Sequence, residues 1–225
     1  DLKKKPDAFV KSYYRTREYL GAALFGGAMQ GKTAIDFRGR KFDVTCADGK
    51  ALFAKDHVSK VKTTKQSNFF ADAFSADALS YVEEKMQNFV GDNGDLLDVC
   101  PNTIIIPNDA MLKKTVFEVI GADKDPLTSN NGFNFQFGRW NVLVWNYLNQ
   151  FIADDTQPYI IADLDYNNEY GGAIFTDRTA LDVRSDIDEN TDANVWRGYA
   201  RFTAGFNDWR AFALGGISGG TQLIG

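Results

Sequence analysis

The stretch GGAMQGKT, from Gly26 to Thr33, fits the spacing G-x-x-x-x-G-K-[ST] of a phosphate-cradling loop. Read that way, it would place the chain among the nucleotide hydrolases built on a parallel sheet. Such a loop works because a buried strand leads into it and a helix starts at the Lys-Ser/Thr. Backbone N–H groups and the helix dipole then converge on the anion. Here the order is reversed. Before the loop, Val10, Tyr13, Tyr14, Leu20, Leu24 and Ala28 recur near helical spacing, with Ala22 and Ala23 as strong helix formers. After it, Ile35 and Phe37, then Phe42 and Val44, alternate with charged residues as strands do. Gly31, Lys32 and Thr33 would not stand at a helix N-terminus, and the stretch reads as a flexible glycine elbow between helix and hairpin. YIIAD, residues 159–163, imitates the Mg²⁺-holding partner strand, but short strands ending in Asp are common. A nucleotidase remains only the weaker alternative.

Beyond the elbow, residues 33–65 carry many Lys and Arg and few apolar side chains, with Asp48-Gly49 as a turn signal. They read as a long two-stranded excursion. A lone hairpin is marginal in water, so this one is expected to lie on a surface, and a neighbour's surface is one candidate. Charge is segregated in the same sense. Residues 1–66 hold fifteen Lys/Arg against seven Asp/Glu, a balance of +8, and residues 67–225 hold ten against twenty-three, −13, within a net charge of −5. A basic arm of this kind binds something acidic: nucleic acid, another copy of the chain, or its own body.

Further on, Ser75 is a plausible N-cap with Asp77 in the first turn. Leu79, Val82, Met86, Phe89 and Val90 make one apolar face, with Glu83, Glu84, Gln87 and Asn88 turned away and Gly91 as the stop. Residues 103–106 form a short buried strand. An Asn108 or Asp109 cap follows, then a helix through Ile120 with Met111, Leu112, Val116, Val119 and Ile120 inward. Phe133, Phe135 and Phe137 alternate with Asn134 and Gln136 and predict a strand. More strands are expected over 159–164, 181–184, 195–204 and 209–217, the last two joined across FND as a hairpin. The fold class is α+β.

Composition (44% hydrophobic, 14% aromatic, 24% charged in 225 residues) supports a large buried core and excludes global disorder. Apolar runs such as 103–107 and 141–145 are too short to cross a bilayer. No basic-then-apolar leader opens the sequence. Asp1 stands where Met would, which implies either upstream cleavage or a chosen boundary. Cys46 and Cys100 could pair at most once, so a reducing intracellular setting is expected. The only histidine, His57, excludes a metal site built from several histidines and reads as a surface or interface residue. A Ser/His/Asp triad would need it near a serine such as Ser59. DIDENTDAN, residues 186–194, lacks the Gly and Glu of a calcium loop and reads as a solvated acidic turn. Trp140, Trp145, Trp196 and Trp209 are expected to anchor the core. No nucleophile with a base and no paired carboxylates are recognisable, so the reading is of a non-enzyme with no catalytic, cofactor or metal residues and no cofactor.

The order of features carries a resemblance. DGKALFAKDH (residues 48–57) fits D-G-x-x-[LF]-F-x-x-x-H, with an asparagine shortly after it. The helix of residues 69–91, the P-x-x-[LI]-[IV]-[IV]-P strand of PNTIIIP (101–107) and the closing RGYARFTAGFNDWRAFALGGI (197–217) follow in turn. The chain resembles the major capsid proteins of tailed bacteriophages and prophages, closest to the Mu-type major head subunit group with the Hong Kong 97-like fold. An encapsulin-like compartment shell on the same fold is the near alternative.

The resemblance implies an N-terminal arm and helix (1–32), an extended hairpin loop reaching over a neighbour (33–68) and a spine helix in a peripheral domain (69–97). An axial domain (98–175) and closing peripheral strands (176–225) complete it. It implies pentamers and hexamers of the chain, portal and scaffold proteins as partners, packaged DNA held without sequence specificity, no membrane, and a place in the virion after assembly in the bacterial cytoplasm. Joined to the charge pattern, it puts Arg38, Arg40, Lys41, Lys50 and Lys55 against acidic residues of an adjacent copy.

Overall fold

The computed structural model describes residues 4–59, 61, 64–124, 132–153, 156–189, 191 and 194–224, with side chains from Asp7 onward. Asp1 and residues 190, 192 and 193 of the acidic turn lie outside them. The described residues form a mixed α+β fold with four α-helices and several small sheets.

The chain opens with α1 (Lys4–Met29), 26 residues and roughly 39 Å long at 1.5 Å per residue. A short hairpin follows, β1 (Ala34–Phe37) and β2 (Arg40–Asp43), then a two-residue pair, β3 (His57–Val58) and β4 (Lys65–Gln66). Helix α2 (Ala76–Gln87) leads to β5 (Thr103–Ile106), α3 (Ala110–Gly121), β6 (Asn141–Val144), a 3-10 turn (Asn146–Gln150), β7 (Tyr159–Ala162) and α4 (Leu164–Tyr170). Last come two long strands, β8 (Ala173–Ile187) and β9 (Asn194–Phe206), and the short β10 (Phe212–Gly215).

The centre is a four-stranded sheet in the order β10-β7-β5-β6, with β5 and β6 parallel across α3 and the other neighbours antiparallel. Every residue of β5, β7 and β10 is buried. Their runs of Ile, Tyr, Ala and Leu are continuous rather than alternating because both faces of the sheet are covered. Each large aliphatic in them contributes about 1.5–3 kcal/mol by leaving water.

The helices begin where side-chain oxygens can cap them. Ser75 Oγ accepts from Ala78 N–H at 3.1 Å, Asp109 Oδ1 from Leu112 N–H at 2.7 Å, and Asp163 Oδ1 from Tyr166 N–H at 2.9 Å. Asp163, the end of YIIAD, also accepts from Cys100 N–H at 2.7 Å, so it works as a cap and a strand tie.

Several expectations are corrected. The hairpin after the elbow is only ten residues long. Val44, Cys46, Ala51, Leu52 and Phe53, all within the expected extended basic loop, are buried in the core. Few as these apolar residues are, they are consecutive enough to fold the segment onto its own body. The region 69–97 holds only the twelve-residue α2, and the longest helix is α1. A boundary at 175/176 would cut a sheet that β10 shares with β5, β6 and β7.

FND does not join a hairpin, since β9 pairs with β8 and β10 with β7. Phe133 makes an isolated bridge to Lys124, Phe135 and Phe137 lie in a turn, and all three are exposed, while Asn134 and Gln136 are buried. The polar pair is the structural one: Asn134 Nδ2 donates to Val119 O at 2.6 Å and Ala122 O at 2.9 Å, closing the end of α3. Met111 is exposed. Glu83 is buried against Arg139 and Gln136 rather than turned to water. Trp140 and Trp209 are buried, whereas Trp145 and Trp196 are half-buried.

Candidate interaction surface

The strands β1 and β2 pair in the register Ile35↔Phe42 and Phe37↔Arg40, which leaves Arg38 and Gly39 as the turn. Both have left-handed backbone, φ 53° and 77°, as a tight two-residue hairpin requires. Asp36 Oδ1 accepts from Gly39 N–H at 3.0 Å and fixes the turn. Arg38, Arg40 and Lys41 are thereby held out in solvent at its tip. Lys55 is exposed as well. Lys50 has partners within its own chain: its ammonium pairs with the Asp56 carboxylate and donates to Asp56 O at 2.6 Å. The structure thus brings Arg38, Arg40 and Lys41 together and sets Lys50 and Lys55 apart.

The long ribbon of β8 and β9 runs past this tip. Its register breaks twice, between Asp177 and Thr179 and again between Thr179 and Asp182. The first break leaves Arg178 as the extra residue of a β-bulge, because Asp177 pairs with Phe202 and Thr179 already pairs with Arg201. Arg178 and Arg201 face Arg38 and Arg40 across a groove of about 690 Å³, with Phe42 and Tyr199 among its walls. Sequence reading missed Arg178 and Arg201. They lie 135 residues and more from the hairpin, and no periodicity announces a bulge.

One acid on this stretch of ribbon is already occupied. Arg17 Nη1 donates to both carboxylate oxygens of Asp177, at 3.0 and 2.9 Å, and the guanidinium lies 4.2 Å from the centre of the Phe175 ring. Among the described residues no carboxylate lies within 4 Å of Arg38, Arg40, Arg178 or Arg201. The groove therefore has four uncompensated cations, in a chain whose net charge is −5.

Helix α1 backs the ribbon. Tyr13 meets Phe202 edge-on at 5.8 Å, and Phe9 sits over Gly198 so closely that a β-carbon there would overlap its ring. Further along α1, Gly26 and Gly27 are helical and pack against Phe151 and Ile35, with no room for a β-carbon on either. Only Gly31, with φ 68°, needs a left-handed backbone. The helix-then-strand order holds, and Lys32 is exposed beyond the helix end. The elbow is therefore stiffer than expected, since two of its glycines are contact points.

His57 is a correction. It is fully buried, stacked on Trp209 with ring centres 4.2 Å apart and planes 7° from parallel. Its Nδ1 lies 2.6 Å from Asp48 Oδ2 and its Nε2 lies 3.1 Å from Asn68 Oδ1. Asn68 Nδ2 in turn donates to Leu52 O at 2.8 Å and Phe212 O at 2.9 Å, and its Oδ1 accepts from Ala54 N–H at 3.0 Å. Burial draws the His57 pKa below its ordinary value, against the pull of Asp48 and Asn68. Ser59 Oγ donates to Asp92 O at 2.7 Å, so His57 and Ser59 do not form a triad. The histidine closes the core where the post-hairpin segment folds back.

Among the described residues no group of three or more His, Cys, Asp or Glu could hold a metal ion, and no helix is long and apolar enough to cross a membrane. Cys46 is buried and Cys100 exposed, and the two are unpaired.

No family model matches the chain, and no curated protein matches it. Among solved structures it is similar to a chain titled "Mycobacterium phage Patience", at 12% sequence identity and a TM-score of 0.49. The match covers 95% of this chain and 63% of that one, so this chain spans less than two thirds of its length.

Proposed function

We propose that the chain is the subunit of a self-assembling shell: a major capsid protein of the Hong Kong 97-like kind, enclosing double-stranded phage DNA, with no enzymatic role. The observation that carries this reading is the β8–β9 ribbon, fifteen and thirteen residues long and open to solvent over most of both faces. A two-stranded ribbon of that size is marginal in water by itself. Helix α1 supports its base, while Ile187, Tyr199 and the arginine groove stay uncovered. An uncovered, two-signed surface suits head-to-tail contact between identical chains. The exposed Phe133, Phe135 and Phe137 add apolar surface of the kind such contacts cover. In this reading α1 takes the place of the spine helix assigned from sequence to residues 69–97, and the ribbon lies along it in the peripheral domain.

The test is electron microscopy and sedimentation of the concentrated protein. Closed shells or capsomer rings are expected. A species that stays monomeric up to millimolar concentration overturns the reading. Nucleic acid inside recovered shells separates a genome container from an encapsulin-like compartment, which would hold a cargo protein instead.

A further inference from the structure

The arginine groove and the far end of the ribbon carry opposite charge. From Asp182 to Arg197 the sequence has five carboxylates against two arginines. Arg184 engages Asp182, and Arg197 lies 3.6 Å from Asp186, which leaves the ribbon end net negative. Ile187, exposed beside these acids, offers an apolar contact to the Phe42 and Tyr199 walls of the groove.

A chain cannot satisfy its own groove. The pairing of β8 with β9 continues to Ile187↔Asn194, so the ribbon stays extended beyond Arg178. At about 3.3 Å per residue, Ile187 lies roughly 30 Å along the ribbon from Arg178 and roughly 17 Å beyond the Tyr199 wall, pointing away from the groove. We infer that the groove bounded by Arg38, Arg40, Arg178 and Arg201 receives the acidic ribbon end of a second copy of this chain, joining copies head to tail. The inference rests on the self-assembly reading above and names the contact that drives it. The contact is heterologous, groove against ribbon end, so each copy keeps one free surface of each kind and the chain of contacts can continue. Nucleic acid fits less well. A duplex in the groove would bring phosphates alongside a ribbon whose outer half is acidic, in a chain that is acidic overall.

The test uses the full chain and two charge-reversed forms, Arg178→Glu/Arg201→Glu in the groove and Asp186→Lys/Glu189→Lys at the ribbon end. All four positions are exposed, and the urea midpoint of each form checks its fold. Arg178→Gln/Arg201→Gln serves as a milder groove variant with an intermediate expected loss. Sedimentation velocity at low salt should show self-association of each reversed form weakened roughly 100-fold. An equimolar mixture of the two should return to within roughly tenfold of the unaltered chain, because each then meets a complementary partner.

Unchanged association in the reversed forms, or no recovery on mixing, overturns this contact and leaves self-assembly standing. An unaltered chain that never associates overturns both. A 20-base-pair duplex that binds the unaltered chain and loses affinity in the groove variant, with association unchanged, makes the groove a nucleic-acid site and overturns the inference.

Discussion

Arg17 on α1 and Asp177 on β8 meet at 2.9 Å across 160 residues of sequence, and the same guanidinium covers the face of Phe175. This pair fixes the first third of the chain to the ribbon and gives Asp177, next to Arg178 in sequence, a partner on α1. Both side chains are partly exposed, at 26% and 37%, so the ion pair itself is modest. A double-mutant cycle of Arg17→Ala and Asp177→Ala should give a coupling of about 0.5–1 kcal/mol, falling in 1 M salt. Urea unfolding of the four forms measures it.

Asn68 should be among the costliest single positions. Its buried amide bridges Leu52, Ala54 and Phe212 as well as His57, and truncation leaves several buried groups unpaired. Asn68→Ala is expected to lose about 3 kcal/mol or more, read from the denaturation midpoint.

The His57 site predicts a pH dependence of stability. Its folded pKa lies below the ordinary value of 6.5 because burial disfavours the cation. As pH falls through that ordinary value, the unfolded chain takes up a proton before the folded one, and stability drops until the folded pKa is passed. The slope is expected below about pH 6.5 and should flatten in His57→Asn when the two are compared by urea titration.

Glycine and lysine in the elbow should behave oppositely to a phosphate loop. Gly26→Ala raises helix propensity yet drives a methyl group into Phe151. A net loss of about 1–3 kcal/mol is expected. Lys32→Ala, at an exposed position, should leave the midpoint within about 0.5 kcal/mol and leave any response to Mg·ATP unchanged.

Thiol titration should count one accessible cysteine in the folded protein and two after unfolding. Burial pushes the Cys46 thiol far up, while Cys100 is exposed, with its pKa raised by partial burial and by Asp98. Reaction of the native chain is therefore expected to be slow at pH 7, faster at pH 9, and abolished by Cys100→Ser.

The sequence was most legible where local chemistry acts alone. Ser75 and Asp109 cap the helices expected of them, and the apolar run 103–106 lies at the centre of the sheet, whereas the first hairpin turns at Arg38-Gly39 and pairs Ile35 with Phe42 instead of turning at the expected Asp48-Gly49. It was least legible where distant partners decide. Alternating Phe133, Phe135 and Phe137 imitate a strand, but Asn134 wins the segment by capping α3. His57 and the residues before it look like a solvated loop until Trp209, 152 positions on, supplies a ring to stack against. For the candidate surface, Arg38, Arg40 and Lys41 could be read from their hairpin, whereas Arg178 and Arg201 depend on a bulge that only the paired strands define.

The two register breaks between Asp177 and Asp182 also divide the ribbon mechanically. Beyond them Phe9 holds the ribbon once more, over Gly198 opposite Val183, and the last four residue pairs form a free arm of roughly 13 Å. A 10° bend of that arm would carry Ile187 through roughly 2 Å, so in the proposed shell one amino-acid sequence would meet neighbours set at different inclinations without refolding its body.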